Sequence, residues 1–229
     1  MSKNNVITLD EPKSQISEAF RTLRTNIQFT SMGADLKVIL ITSSCMGEGK
    51  STVSANLATV FAQQGKRVLL VDADMRRGRQ HHVFEVNTKC GLSNYLADVE
   101  WNENELFNKT NVDNLYLLPS GNVPPNPSEL LSSERMKNLV EQCKKSFDVI
   151  ILDGPPCLVV ADGLILARYA DSTIIVSSYK ETHKDELKNT KKAIENVGGK
   201  IGGVVLNKMN IKPHSYSSYR YYSYYKAEE

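Results

Sequence analysis

Six short apolar runs, rich in β-branched residues, punctuate the chain. They are KVILITS at 37–43, RVLLVDAD at 67–74, LYLLPSG at 115–121, DVIILDGPP at 148–156, STIIVSS at 172–178 and KIGGVVLN at 200–207. Apolar positions fall side by side in these runs instead of alternating with polar ones, so each reads as a strand buried on both faces. Between them lie segments with helical spacing. One covers 51–64 and is stopped by Gly65, one covers 128–145, and one covers 182–197 and is stopped by Gly198 and Gly199. Strands alternating with helices predict an α/β fold with a mainly parallel sheet and helices on both faces.

The two ends depart from this rhythm. A helical pattern at 13–30 precedes the first strand, and 210–229 carries no core pattern. The stretch 98–127 is rich in Asn and Pro and reads as a long surface excursion around one strand. The expected organisation is one domain over 1–209, with its N-terminal helix at about 13–30, followed by a flexible tail at 210–229.

Composition narrows the picture mainly by exclusion. With 229 residues, 41% hydrophobic and 24% charged, the chain has the make-up of an ordinary soluble domain. A formal charge of +2 without blocks of like charge argues against a nucleic-acid partner. Neither a signal peptide nor eighteen consecutive apolar residues occur, so a cytoplasmic location is expected, with any membrane attachment borrowed from a partner. Cys45, Cys90, Cys143 and Cys157 stand far apart and suggest reduced thiols, not a disulfide framework or metal knuckle.

Chemistry concentrates where the predicted strands end. Directly after the first, SSCMGEGKST at 43–52 has the strand–loop–helix setting of a phosphate-binding loop, although Ser44 takes the place of its usual first glycine. Gly47 and Gly49 let backbone amides turn toward phosphate, with Met46 and Glu48 supplying further loop backbone. Lys50 reaches the β- and γ-phosphates, Ser51 can ligate Mg²⁺ and Thr52 can approach the α-phosphate. In LLVDADMR, strand alternation points Asp72 and Asp74 to one side, at the strand end where parallel sheets open their ligand crevice. VIILDGPP puts Asp153 at another strand end in the form of a Walker B acid. Ser51, Asp74 and Asp153 are the expected Mg²⁺ ligands, oxygen donors suited to that ion. Asp72 is the candidate to accept a proton from a reacting hydroxyl or to orient it.

Two further patterns carry information. Tyr216, Tyr219, Tyr221, Tyr222, Tyr224 and Tyr225 crowd into ten positions of the tail, interleaved with Ser and free of aliphatic residues, as suits a phosphoacceptor segment. EAFRTLR places Glu18, Arg21 and Arg24 three residues apart on one helix stripe.

With SSCMGEGKST, LLVDADMR, IILDGPP, EAFRTLR and the tyrosine cluster in this order, the whole chain resembles the bacterial tyrosine kinases, or BY-kinases, of Gram-positive capsule and exopolysaccharide systems. The resemblance implies a P-loop NTPase fold of the Min/Par branch, ATP and Mg²⁺ as cofactors, and autophosphorylation of the tail. It implies roles in catalysis for Lys50, Asp72, Asp74 and Asp153, and an Asn207 at a strand end near the adenine. It makes the Glu18–Arg21–Arg24 stripe an oligomerisation motif for a ring that presents tails to neighbouring sites. It also implies a membrane-bound, Wzz-like polysaccharide co-polymerase as activator and a cognate tyrosine phosphatase. Two other functions use the same Walker residues: a Min/Par-type positioning ATPase without kinase activity, and a non-catalytic ATP-binding assembly protein. The positioning ATPases usually carry an extra lysine early in the loop, where this chain has Cys45, and they have no use for six terminal tyrosines.

Overall fold

The computed structural model describes residues 6–30, 36–86, 90–97 and 106–209. The tyrosines of the predicted acceptor tail lie outside the described residues. Seven strands form one sheet: β1 (Val38–Ser43), β2 (Val68–Asp72), β3 (Asn108–Lys109), β4 (Leu115–Leu118), β5 (Val149–Asp153), β6 (Ser172–Ser178) and β7 (Ile201–Asn207). Their order is β3-β4-β2-β5-β1-β6-β7, and every pairing is parallel except β3 with β4.

The unbroken apolar runs serve two cores at once. In β1, Val38 and Leu40 enter one core while Ile39 and Ile41 enter the other; β5 divides Ile150 and Leu152 from Val149 and Ile151 in the same way. The second core is built around α3 (Lys50–Ala62), a helix buried nearly all round, against which α1 (Ile7–Asp10) and α2 (Gln15–Thr30) pack. Small residues such as Ala55 and Ala58 let α3 approach the sheet, and each fully buried Leu, Val or Phe contributes about 1.5–3 kcal/mol. Buried polar side chains along it find partners: Thr59 bonds back to the Ala55 carbonyl, while Asn56 Oδ1 accepts from the Thr8 backbone and hydroxyl at 3.0 Å each. The helix ends where Gly65 adopts φ +83°, a left-handed turn that glycine takes without a Cβ penalty.

The other core is covered by α5 (Leu92–Leu96), α6 (Pro127–Leu131), α7 (Glu134–Ser146), α8 (Asp162–Ala167) and α9 (Lys184–Asn196). Three expectations change here. The 128–145 helix is two helices, because Ser133 turns out of helical geometry and its side chain caps the Met136 amide of α7. The 98–127 excursion contributes the antiparallel β3 as well as β4. β7 is an edge strand with Val204 and Leu206 half exposed, so it is not buried on both faces.

Candidate active site

β1 is central, and its carboxyl end runs into the 43–52 loop and α3, which sets the loop where neighbouring strand ends converge. Gly47 (φ +81°) and Gly49 (φ +94°) take left-handed conformations. Gly49 is required twice over, since a Cβ there would stand 2.0 Å from Asn207 Nδ2. That amide donates to the Glu48 carbonyl at 2.9 Å, pinning the loop to the end of β7. The Glu48 side chain points inward: it accepts from the Cys45 amide at 2.7 Å and from the Thr182 hydroxyl. Thr190 of α9 donates to Ser44 Oγ at 2.8 Å. The loop is therefore tied to β7 and α9 by contacts within the protein.

A cavity of about 770 Å³ opens over this loop, within the size range of small-ligand sites. Met46, Gly47, Gly49, Lys50, Ser51 and Thr52 line its floor, and Asn207 closes one side. Of the loop positions expected to face nucleotide, Glu48 alone does not line it. The far side is formed by Asp74 and the arginines after β2, together with Pro155 and Pro156 after β5.

The acids divide by depth. β2 ends at Asp72, so strand alternation does not extend to Asp74 and the two do not share a surface. Asp74 starts the next turn, accepting from the Arg77 amide at 3.1 Å, and its side chain borders the cavity. Asp72 and Asp153 lie beneath, paired in register across β2 and β5 and almost fully buried. Burial raises the Asp72 carboxyl well above its ordinary value, and the charge of Asp153 pushes it further the same way. Asp153 is also raised by burial, against the pull of Gln80, Lys50, Ser51 and Ser54. Two carboxylates this close titrate as a pair.

Gln80 organises that pair, and no motif in the sequence marks it. It sits in the short α4 (Gln80–Val83), fully buried. Its backbone amide donates to Asp72 Oδ2 at 2.9 Å, and its side-chain Nε2 donates to Asp153 Oδ2 at 2.7 Å and to the Ser51 carbonyl at 3.0 Å. Ser54 completes the support of Asp153 with a 3.0 Å bond to Oδ1. Only the neighbourhood of the DADMR segment could have pointed to Gln80.

These residues suit a divalent cation. Asp72 Oδ1 and Gln80 Oε1 are buried without a hydrogen-bond partner among the described residues, and both are acceptors that a cation or its water ligands would satisfy. A cation would also relieve the carboxylate repulsion. No group of three or more His, Cys, Asp or Glu side chains among the described residues could hold a metal alone. That is consistent with a site completed by the Ser51 hydroxyl and phosphate oxygens.

The predicted stripe on α2 is partly occupied within the chain. Arg21 pairs with Glu18 at 3.0 Å and donates to the Pro12 carbonyl, while Arg24 donates to the Val60 carbonyl of α3 at 2.9 Å. Among the described residues no helix is long and apolar enough to cross a membrane.

Comparison with known proteins finds likenesses in both sequence and fold. Residues 36–203 match the AAA domain family. The chain is 44% identical to tyrosine-protein kinase YwqD of Bacillus subtilis (strain 168), over 96% of this chain and 92% of that one. The chimerical protein CapA2B2 superposes with a TM-score of 0.86 at 39% identity, covering 90% of this chain and 91% of that one. The kinase domain of the Escherichia coli tyrosine kinase ETK gives 0.85 at 34% identity, covering 92% and 84%.

Proposed function

Since the chain belongs to the bacterial tyrosine-protein kinases, P-loop enzymes that use ATP with a divalent metal, we propose that it phosphorylates its own tyrosine cluster and thereby regulates capsule or exopolysaccharide synthesis and export. The observation that carries the site assignment is the stack of Lys50 and Ser51 on the cavity floor above the Asp72–Asp153 pair. In this reading residues 1–209 are the kinase domain and 210–229 the acceptor.

Lys50 and the loop amides hold the triphosphate, and Asn207 faces the nucleoside side. Ser51, Asp74 and Asp153 would hold Mg²⁺, which would supply neutralisation of the negative charge of the triphosphate. The tyrosine oxygen forms a bond to the γ-phosphorus as the bond to the β–γ bridging oxygen breaks, leaving ADP. The phenolic proton passes to the Asp72–Asp74 side of the site. Asp72 is the candidate to accept this proton or orient the hydroxyl, and because its carboxyl lies buried beneath the cavity while Asp74 borders it, Asp72 would act through a water or through Asp74. A phenol near pKa ~10 needs less basic help than an aliphatic hydroxyl, so positioning is the larger contribution.

The remaining parts follow kinship. Glu18, Arg21 and Arg24 join subunits in a ring where each tail reaches a neighbour's site. A membrane-bound co-polymerase of the Wzz-like type serves as activator and peripheral anchor for a cytoplasmic kinase, and a cognate phosphatase reverses the modification.

The test mixes two full-length variants. One has all six tail tyrosines changed to Phe and supplies the active site; the other carries Lys50→Met and supplies the tail. Transfer of labelled γ-phosphate to the Lys50→Met chain is expected. Label that appears only when Lys50 and the tyrosines share one chain would overturn transfer between subunits.

A further inference from the structure

The cavity has two chemically different sides. Asn207 and Lys208 stand on the β7 side, while Arg76, Arg77 and Arg79 stand on the β2 side, next to Asp74. β2 and β7 lie on opposite sides of β1 in the sheet, each one strand removed, so these arginines stand across the loop from Asn207, the nucleoside side in the reading above. Arg76 is committed, with its Nε 2.7 Å from the buried Asp162 carboxylate. The exposed side chains of Arg77 and Arg79 have no carboxylate within ion-pair distance among the described residues. Pro155, Pro156 and Val159, which follow the adjacent β5, line the same cavity and form an apolar wall of the kind an aromatic ring packs against.

We propose that Arg77 and Arg79, with this wall, form a subsite for a phosphotyrosine in the tail of a second copy of the chain, so that one phosphorylated tyrosine promotes phosphorylation of its neighbours. The subsite rests on the kinase reading above. Six tyrosines lie within ten positions, so a seated acceptor has others one to three residues away, within about 10 Å along an extended chain. That spacing is short enough for such a neighbour to reach the arginines from within the same cavity. Before modification the tail segment carries Lys212, Arg220 and Lys226 against Glu228 and Glu229, and gains nothing from two more cations. Each phosphate brings a charge of about −1.5 to −2 and three acceptor oxygens, which guanidinium groups bind in bidentate fashion. The subsite is therefore indifferent or repulsive to the first tyrosine and attractive once a phosphotyrosine is present.

The experiment uses the full chain with two peptides of residues 213–226, one unmodified and one with phosphotyrosine at position 222. Steady-state transfer gives kcat/KM for each, and titration of fluorescent peptides gives binding without transfer. The wild type should favour the primed peptide about tenfold in both measurements, through KM more than kcat. In the Arg77→Gln, Arg79→Gln double variant both ratios should fall to about one. Equal use of the two peptides by the wild type, or an undiminished ratio in the variant, overturns the subsite. If the wild type transfers phosphate to neither peptide, the kinase reading of the tail fails, and the binding ratio alone decides for or against the subsite.

Discussion

A single buried residue governs the acid pair: Gln80 holds Asp72 through its backbone amide, and Asp153 and the Ser51 carbonyl through its side chain. A group that orients metal ligands without touching substrate is worth about 10–100-fold in activity or metal affinity. Gln80→Ala is expected to lower kcat and divalent-metal affinity by that amount while KM for ATP changes little; equal losses in kcat and ATP binding would instead mean that the loop has collapsed. Asp72 makes a second prediction, in pH. Burial and Asp153 raise its carboxyl, so the folded state holds that proton more tightly than the unfolded chain. The resulting stability is full below the ordinary carboxylate range and is lost as pH rises from about 4 through the raised value. Metal-free protein should therefore weaken toward neutral pH, and Asp72→Asn should flatten that slope and add about 1–3 kcal/mol at pH 7, as urea titrations would show. A variant with the wild-type slope would contradict the assignment. Lys50, Ser51 and the acids were legible in sequence because phosphate and metal chemistry demands those residue types at those strand ends. Gln80 was not, because one amide in a four-residue helix leaves no pattern.

At the level of elements, the apolar runs located the strands, and their lack of alternation correctly announced cores on both faces of the sheet for β1, β2 and β5. The same reasoning failed for β7, since an edge strand can keep valine and leucine exposed and nothing in KIGGVVLN marks it as an edge. The break between α6 and α7 was hidden because Ser132 and Ser133 interrupt helical spacing by too little to be seen. On α2, Arg24 binds the Val60 carbonyl at the end of α3, where unsatisfied carbonyls favour a cation. Arg24→Ala should accordingly cost about 1–2 kcal/mol of monomer stability in addition to any effect on assembly. Glu18→Ala, which removes only a surface ion pair, should leave monomer stability within about 0.5 kcal/mol and change assembly alone. Denaturation at low protein concentration beside sedimentation at high concentration separates the two; equal destabilisation by both variants would contradict this division.

For the whole molecule, the sheet order places one cavity at the convergence of the β1, β2, β5 and β7 ends. The central claim is that phosphate held there moves to tyrosine and not simply to water. Intact-mass spectrometry of the full chain, incubated with Mg²⁺ and ATP in the presence of the cytoplasmic segment of the proposed activator, tests this directly. The account predicts increments of whole phosphates, mapped to Tyr216, Tyr219, Tyr221, Tyr222, Tyr224 and Tyr225 and absent from Lys50→Met. ATP hydrolysis without any mass increment would contradict it and identify the site as that of a positioning-type ATPase.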